Sequence, residues 1–302
     1  MLEIDCQKVS HKIEKYIREK VKELRRDGAI IGISGGLDSA VVTGLAVRSL
    51  GKERVFGLIL PERDSSPLTI EHAKLVAKKF DVSFKVIKIT YLLRKMGVYR
   101  LYPPTFFTPR TVQDRYVLRK HEELKQRLGG NPLISTLLGT KDKEMRKGVA
   151  YFRSKHRMRM TILYFYAERM NFLVVGTSNK SEWLTGFFVP YGDGAADIMP
   201  LLSLFKTQVR ALGEYLGVPD RIMEKPPSPD LMPGLTDEEA MGIDYEDLDL
   251  ILDGLEREMP PEKIVKKTGL PLKDIQYIEN LRIRSEHLRK IPDALSIDWS
   301  ST

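Results

Sequence analysis

The residues best suited to chemistry in this chain form one short stretch, Ser34-Gly35-Gly36-Leu37-Asp38-Ser39. Its two hydroxyls and its backbone N–H groups can bind phosphate oxygens, and its carboxylate can bind a hard cation such as Mg²⁺. The paired glycines allow a tight turn and a close approach between backbone and ligand. The stretch therefore predicts a phosphate-binding loop. The plainer alternative is a glycine turn that joins a core strand to a core helix.

The elements on either side of this loop favour the phosphate-binding interpretation. The loop follows an apolar run at 29–33, which is typical of a buried strand, and precedes a helical pattern of small residues at 40–47. It would lie at a helix N-terminus, where unpaired N–H groups and the helix dipole attract anions. It is not a Walker loop, because that motif ends in Gly-Lys-Ser/Thr and this loop has no lysine. The six residues resemble the SGGxDS loop of the ATP pyrophosphatase (PP-loop) superfamily, which implies that ATP binds here.

Strand and helix patterns alternate along much of the chain. An amphipathic helical pattern covers 9–26, and another covers 155–170. The apolar runs that predict strands are 29–33, 54–61, 84–89 and 172–177. Alternation with short connections predicts right-handed crossovers, and hence a doubly wound α/β fold whose mostly parallel sheet has helices on both faces. In such a sheet ligands bind beyond the C-terminal strand ends, where the loop at 34–39 lies.

The composition excludes several classes of protein. The chain has 302 residues, of which 42% are hydrophobic, and this suffices for a well-buried core. We expect no membrane span, because no long uncharged apolar run occurs, and the N-terminal residues lack the pattern of a signal peptide. Cys6 is the single cysteine, which excludes an internal disulfide framework and a thiolate zinc cluster. A cytoplasmic location is therefore expected.

The net charge of +8 is unevenly distributed. Residues 91–160 contain 17 Lys or Arg against 5 Asp or Glu, a surplus of 12 positive charges, so the remainder carries a net charge of −4. A basic region of this size suits a polyanion, either nucleic acid or a dinucleotide with several phosphates. A solvated basic face in a charge-rich protein is the alternative.

The regular pattern is interrupted between residues 92 and 147. This stretch is rich in basic residues, prolines and aromatic residues, with a possible helix near 111–128. We predict a single domain over 1–302, in which 92–147 forms a basic insertion or lid. Helical patterns return at the C-terminus and predict a helical part from about residue 236.

Several further motifs follow the loop in a fixed order. They are Gly176 to Glu182, Tyr191-Gly192-Asp193-Gly194, Lys206-Thr207-Gln208-Val209-Arg210, Pro227-Ser228, Thr236-Asp237-Glu238 and Arg284-Ser285-Glu286-His287. With the loop at 34–39, this ordered set resembles the NAD synthetase family in its ammonia-dependent, single-domain form. The resemblance covers most of the chain outside the insertion. It implies an adenine nucleotide alpha hydrolase-like fold and the amidation of deamido-NAD to NAD with ATP, Mg²⁺ and ammonia.

The resemblance also implies a role for individual residues. The Mg²⁺ ligands it implies are Asp38 and Glu182, and the catalytic residues are Asp38, Lys206 and Asp193. The ATP-binding positions it implies are Ser34, Gly35, Gly36, Leu37, Asp38, Ser39, Arg159, Thr177, Lys206 and Ser228. The positions that it implies for deamido-NAD are Arg153, Arg157, Asp193 and His287. It further implies a homodimer. Because no amidase-like domain is recognised in this sequence, we expect the nitrogen source to be free ammonia or ammonia from a separate partner.

The chain departs from the family pattern around the expected acceptor carboxylate. The positions concerned are Val149, Arg153, Val189, Pro190 and Leu288. A second hypothesis is therefore a divergent member that amidates another carboxylate. A tRNA-modifying PP-loop enzyme is less favoured, because sulfur-transferring members generally need more cysteines than Cys6, and nucleic acid is an unlikely partner. A non-catalytic ATP-binding module is disfavoured by the presence of Asp38, Glu182 and Lys206 together.

Overall fold

The fold is built on one sheet of four parallel strands. The computed structural model describes residues 2–102, 110–227, 235–290 and residue 295. The strands in these residues are β1 Gly28–Gly32, β2 Val55–Ile59, β3 Ser83–Val86 and β4 Phe172–Val175. Their order across the sheet is β3-β2-β1-β4, and Ile30 of β1 is paired with Phe56 on one side and Val174 on the other. Each strand lies within or at the edge of a predicted apolar run.

Fifteen α-helices surround the sheet within the described residues. They are α1 Cys6–Glu23, α2 Leu37–Leu50, α3 Pro67–Lys79, α4 Thr90–Lys95, α5 Arg110–Leu128, α6 Pro132–Leu137, α7 Lys143–Met170, α8 Lys180–Thr185, α9 Lys206–Tyr215, α10 Asp220–Met223, α11 Asp237–Met241, α12 Tyr245–Glu256, α13 Pro261–Thr268, α14 Leu272–Arg284 and α15 Glu286–Arg289. Single 3-10 turns occur at Lys52–Arg54 and Val98–Arg100. None of the helices in these residues is both long enough and apolar enough to cross a bilayer.

Helices cover both faces of the sheet, as the sequence predicts. Because side chains alternate along a strand, Ala29 and Ile31 of β1 pack with α1, α2, α3 and α9, whereas Ile30 packs on the opposite face with α4 and α7. All three of these side chains are fully buried. The sheet therefore separates two apolar layers, and the predicted doubly wound α/β fold is confirmed.

A third apolar core joins the C-terminal helices, which were also predicted. Leu248, Ile251 and Leu252 of α12 pack with Ile275 and Ile278 of α14, and all five are fully buried. Helices α12 and α14 both contact the short helix α8. The C-terminal helices therefore support the segment that follows β4, and this segment carries predicted site residues.

Within its described residues, the region predicted as an insertion contains the end of α4, the helices α5 and α6, and the start of α7. Helix α5 agrees with the helical pattern noted at 111–128. Helix α7 begins at Lys143, twelve residues before the start expected from the apolar pattern. Asp142 caps this helix through a 2.8 Å hydrogen bond from the N–H of Met145. The first turns of α7 carry mostly charged residues, so their apolar periodicity is weak.

The strand order creates a crevice beside β1. The chain moves outward from β1 to β2 and β3, and then returns to place β4 on the other side of β1. The connections that leave β1 and β4 therefore diverge at their C-terminal ends, which is where ligands bind in open α/β sheets. The predicted phosphate loop follows β1, and the segment 176–182 follows β4.

Candidate active site

The segment Ser34–Ser39 forms a compact turn at the N-terminus of α2. Ser34 Oγ and Ser39 Oγ lie 3.1 Å apart, and Ser34 Oγ accepts a 3.2 Å hydrogen bond from the N–H of Gly36. Ser39 Oγ donates to the Gly36 carbonyl at 2.9 Å. The N-cap residue of α2 is Gly36, which has no side chain to cap the helix. The first N–H groups of α2 therefore face the crevice in the arrangement that binds phosphate at helix N-termini.

Gly35 is required by this turn for two independent reasons. Its φ of +75° lies in the left-handed region that L-residues with a Cβ rarely adopt. A Cβ at this position would also lie 2.8 Å from both the Ala73 nitrogen and the Thr69 carbonyl oxygen of α3. Gly35 therefore faces α3, and its neighbours in the loop face the crevice.

Three predicted site residues converge from three separate elements. Lys206, the first residue of α9, contacts the Asp38 carboxylate through its Nζ, and the same Nζ lies 3.9 Å from Glu182 Oε1. Asp38 also accepts a 3.2 Å hydrogen bond from the Asn179 side chain. The structure thus brings Asp38 after β1, Glu182 in α8 and Lys206 in α9 to one point. A cation in the first turn of a helix opposes the helix dipole, and here two carboxylates compensate for it.

Burial and neighbouring charges shift the pKa values in this group. Burial, reinforced by the Asp38 carboxylate, raises the pKa of Glu182 well above its usual value. Burial alone would lower the pKa of Lys206, but the carboxylates of Asp38 and Glu182 raise it. Glu182 Oε2 also accepts the N–H of Asn179 at 3.4 Å, so Glu182 caps α8 as well as facing the crevice.

A third carboxylate, which the sequence-based assignment of roles did not include, joins this group. Asp237 is the first residue of α11 and is only 6% exposed. Its Oδ2 accepts a 3.2 Å hydrogen bond from the Tyr245 hydroxyl, and the Tyr245 ring lies 5.3 Å from Lys206 Nζ. Burial, opposed in part by Lys206, raises the pKa of Asp237 to about 6. The sequence did not identify Asp237 as a site residue, because acidic residues are common at the start of a helix.

A buried carboxylate behind the group fixes the backbone of Lys206. Asp249 of α12 accepts hydrogen bonds from the Ser181 hydroxyl and from both the N–H and the hydroxyl of Thr207. Ser181 Oγ in turn accepts the N–H of Lys206 at 2.9 Å. Burial raises the pKa of Asp249 to about 6. Asp249 therefore links α8, α9 and α12 at the point where Lys206 enters the crevice.

The predicted acceptor side is built from α7 and from the loop that contains Asp193. Asp193 Oδ1 accepts the N–H of Val189 at 2.9 Å and lies 3.2 Å from His156 Nδ1. Burial would raise the pKa of Asp193, but His156 and the Val189 N–H lower it below its usual value. Arg157 donates to the Pro190 carbonyl at 3.1 Å. His156 was not predicted as a site residue, since a single histidine on a long basic helix carries no sequence signal.

Two other arginines of α7 connect this side to neighbouring elements. Arg153 donates to the Thr136 carbonyl of α6 at 2.8 Å, and burial lowers the pKa of its guanidinium. Arg159 donates to the Leu60 carbonyl at 3.1 Å, directly after β2. Arg153 and Arg159 therefore line different ends of the same crevice.

The crevice is a cavity of ≈ 1260 Å³ that holds most of the predicted residues. Predicted site residues that line it are Ser34, Gly36, Leu37, Asp38, Ser39, Arg153, Arg159, Thr177, Glu182, Asp193 and Lys206. Its wall also includes Lys120 and Arg127 from the predicted insertion. Gly35, Arg157 and His287 are not among the described residues that line it, and His287 is exposed on α15. Ser228 lies outside the described residues.

The residues at the centre of the cavity fit a Mg²⁺ ion shared with phosphate. Asp38 and Glu182 approach the same Lys206 Nζ, so two carboxylates share one lysine at the centre of the cavity. No cluster of three or more His, Cys, Asp or Glu suited to a metal occurs among the described residues. Two carboxylates next to a phosphate loop are typical of Mg²⁺, which is usually held by one or two carboxylates and substrate phosphates.

Fold and site together define a class of protein. A phosphate loop at the switch point of a parallel sheet, beside two carboxylates and a lysine, is typical of an α/β enzyme that acts on a nucleoside triphosphate. The chain matches the family model described as NAD synthase over residues 9–116 and 117–292. The chain belongs to the NAD synthase family.

Individual relatives agree with this membership. The chain is 48% identical to an NH(3)-dependent NAD(+) synthetase of Thermotoga maritima, over 80% of this chain and 85% of the relative. It is 40% identical to one of Methanocaldococcus jannaschii, over 95% of each. A solved NMN synthetase from Francisella tularensis superposes with a TM-score of 0.72 at 29% identity, covering 98% of this chain and all of that one. An NH3-dependent NAD synthetase from Campylobacter jejuni gives a TM-score of 0.69 at 27% identity, with 97% and 100% coverage.

Proposed function

We propose that this chain is a ligase that converts deamido-NAD to NAD with ATP, Mg²⁺ and ammonia. The convergence of Asp38, Glu182 and Lys206 beside the loop at 34–39 is the observation that carries the proposal. The family membership and the relatives named as NH(3)-dependent NAD(+) synthetases support it. The cavity of ≈ 1260 Å³ exceeds that of most single-ligand pockets, in keeping with two nucleotide substrates bound side by side.

The first step joins the acceptor to AMP. The nicotinate carboxylate attacks the α-phosphorus of ATP, a carboxylate–phosphate bond forms, and pyrophosphate leaves. Ser34, Ser39 and the N-terminus of α2 hold the phosphates, and Lys206 compensates for the charge that develops on them. Asp38 and Glu182 would hold a Mg²⁺ ion, which would add positive charge beside the phosphates when bound. This step requires no protein nucleophile, so positioning and charge compensation account for catalysis.

The second step makes the amide. Ammonia forms a bond to the acyl carbon, the bond between that carbon and the AMP oxygen breaks, and a proton is lost from nitrogen. Asp193 and the arginines of α7 would orient the acceptor, because its dinucleotide carries phosphates and the α7 side of the cavity is basic. Arg157 is the one predicted arginine of α7 that is not among the described residues lining the cavity, and His287 of α15 does not line it either.

The association state and location follow the same proposal. We propose a homodimer in which His287 contributes to the acceptor site of the assembled enzyme, and a cytoplasmic location. Light scattering on a size-exclusion column tests the dimer. A monomer that makes NAD at the full rate would refute any role for a second copy.

The acceptor side of the cavity is compatible with two carboxylate substrates. Val149, Arg153 and Val189 line the cavity where the chain departs from the family pattern. One structural relative is an NMN synthetase, whose name points to an acceptor with one nucleotide in place of two. Nicotinate mononucleotide is therefore the alternative acceptor to compare with deamido-NAD.

The decisive experiment measures both half-reactions. Purified enzyme with ATP and Mg²⁺ is offered deamido-NAD or nicotinate mononucleotide, with and without ammonium, and both pyrophosphate and the amide product are quantified. We expect ammonium-dependent NAD formation, and a loss of at least about 100-fold in Asp38→Asn, which removes a carboxylate from the charged group.

Glu53→Gln provides the matched control, since Glu53 is an exposed acid outside the cavity. This variant should keep the wild-type rate. Faster amidation of nicotinate mononucleotide than of deamido-NAD would reassign the acceptor, and equal activity of wild type and Asp38→Asn would refute the proposed role of the charged group.

A further inference from the structure

We propose that Asp237 Oδ1 binds the ammonia or ammonium that enters the second step, which makes it a substrate-binding residue of the amidation. This inference rests on the proposed function and concerns how the nitrogen donor is held. Many groups in the cavity wall can bind anions. Ammonia and ammonium are different ligands, because they are small and interact through N–H donors, with one lone pair in neutral ammonia. Such a ligand needs a hydrogen-bond acceptor that is fixed, buried and not already occupied.

Asp237 meets these requirements. It lines the cavity and is 94% buried, with 6% of its surface exposed. Its Oδ2 is occupied by the Tyr245 hydroxyl at 3.2 Å, whereas its buried Oδ1 has no hydrogen-bond partner within the described part of the chain. The N–H of Asp237 is bonded to the Pro227 carbonyl at 2.9 Å, which fixes the start of α11. A buried carboxylate oxygen without a partner costs free energy, so such an atom indicates a ligand that supplies the missing donor.

The charges around Asp237 select among the reactants. Asp38, Glu182 and Asp237 surround a single cation, Lys206, so three carboxylates against one ammonium leave the fully ionised group with two net negative charges. ATP, pyrophosphate and the nicotinate carboxylate are all anions, and a buried carboxylate would repel them. Only Mg²⁺ and the nitrogen donor remain as partners of Asp237.

Mg²⁺ is the weaker of these two candidates for Asp237. Asp237 does not join the other two carboxylates in a metal cluster, since the described residues contain no such group of three. The Tyr245 ring flanks Asp237 and already has the Lys206 ammonium over its face at 5.3 Å, so the neighbourhood of Asp237 suits a monovalent N–H cation better than a hydrated divalent ion. The nitrogen donor is therefore the ligand that fits Oδ1.

Steady-state kinetics of Asp237→Asn test this inference, because asparagine keeps the shape and removes the charge. NAD formation is measured against ammonium chloride at saturating deamido-NAD and Mg²⁺-ATP. The first step is measured separately as exchange of labelled pyrophosphate into ATP, without ammonium. We expect the KM for ammonium to rise about 10- to 100-fold, since a hydrogen bond to a charged group is lost. The exchange rate should fall by a clearly smaller factor than the rate of amidation at low ammonium, because the nitrogen donor takes no part in the first step.

The outcomes separate a binding role from a structural one. A KM for ammonium within twofold of wild type overturns the inference, and so does an equal fall in exchange and amidation. If Asp237→Asn does not fold, Asp237→Glu carries the same test, because it keeps the charge but displaces the oxygen by one methylene. Wild-type enzyme that shows exchange but forms no NAD at any ammonium concentration refutes the proposed function, and the inference with it.

Discussion

Replacing Gly35 by alanine should damage the phosphate loop more than its small size suggests. The φ of +75° alone costs an alanine about 1–2 kcal/mol. The new Cβ would also lie 2.8 Å from two backbone atoms of α3, at Thr69 and Ala73, which cannot rotate away. Overpacking of this kind adds about 1–3 kcal/mol. We therefore expect Gly35→Ala to lower the free energy of unfolding by about 2–5 kcal/mol.

The same substitution should also weaken catalysis, because the clash is relieved only if the loop moves away from α3. A shift of about 1 Å in a group that positions phosphate can cost about 100-fold in rate. We expect the KM for ATP to rise at least about 10-fold, while the KM for ammonium changes little. Urea denaturation gives the stability, and initial rates of pyrophosphate release against ATP concentration give the kinetics.

Gly269→Ala is the matched control for Gly35→Ala. Gly269 ends α13 with a φ of +77°, and a Cβ there would meet nothing within 4 Å. This variant should lose only the conformational cost of about 1–2 kcal/mol and keep the wild-type KM for ATP. Equal stability losses in the two variants, or an unchanged KM for ATP in Gly35→Ala, would refute the assignment of the loop geometry.

Two further predictions concern buried charges away from the phosphate loop. Lys155→Met should lower the free energy of unfolding, measured in urea, by about 3–5 kcal/mol, because Lys155 is fully buried and its Nζ lies 3.0 Å from Glu62 and 2.7 Å from Asp64. Lys147→Met is the control at an exposed ion pair on the same helix, and it should cost under about 1 kcal/mol. Similar losses in the two variants would contradict the prediction. Asp249→Asn tests the sign of a pH effect. The pKa of Asp249 is raised from 3.8 to about 6, so the folded protein holds this proton more tightly than the unfolded chain does. As the pH rises from 4 to 6, the free energy of unfolding of wild type should therefore fall by about 3 kcal/mol relative to the variant, with no further loss above pH 6. Parallel stability profiles of these two proteins from pH 4 to pH 8 would show that Asp249 titrates normally.

The sequence predicted those parts of the structure that depend on local pattern. The four strands, each of four or five residues, lie within or at the edge of predicted apolar runs of five to eight residues, and such runs are a local signal. The loop at 34–39 was recognisable because its glycines, hydroxyls and carboxylate are contiguous. The start of α7 was not predicted, since its first turns depend on the Asp142 cap and carry little apolar periodicity.

The parts of the site that were missed depend on packing between distant segments. Asp237 lies in the stretch Thr236-Asp237-Glu238-Glu239, which has the sequence of a helix start. Thr236 and Glu239 form a capping box, and Glu238 accepts the N–H of Tyr245 at 3.2 Å. Asp237 is thus the one acid of the three with no role in capping. Only the tertiary structure shows that it is buried beside Lys206.

Helix α7 has a consequence for how this enzyme could be redesigned. Arg153 and Arg157 share one face of the helix and contact the elements around the acceptor. Lys155 and Arg159 lie on the opposite face and contact the segment after β2. Side chains on the face proposed to meet the acceptor can therefore be exchanged without altering those that anchor the helix to the segment after β2. Libraries restricted to the acceptor-facing positions should yield amide synthetases for new carboxylic acids that still activate them with ATP.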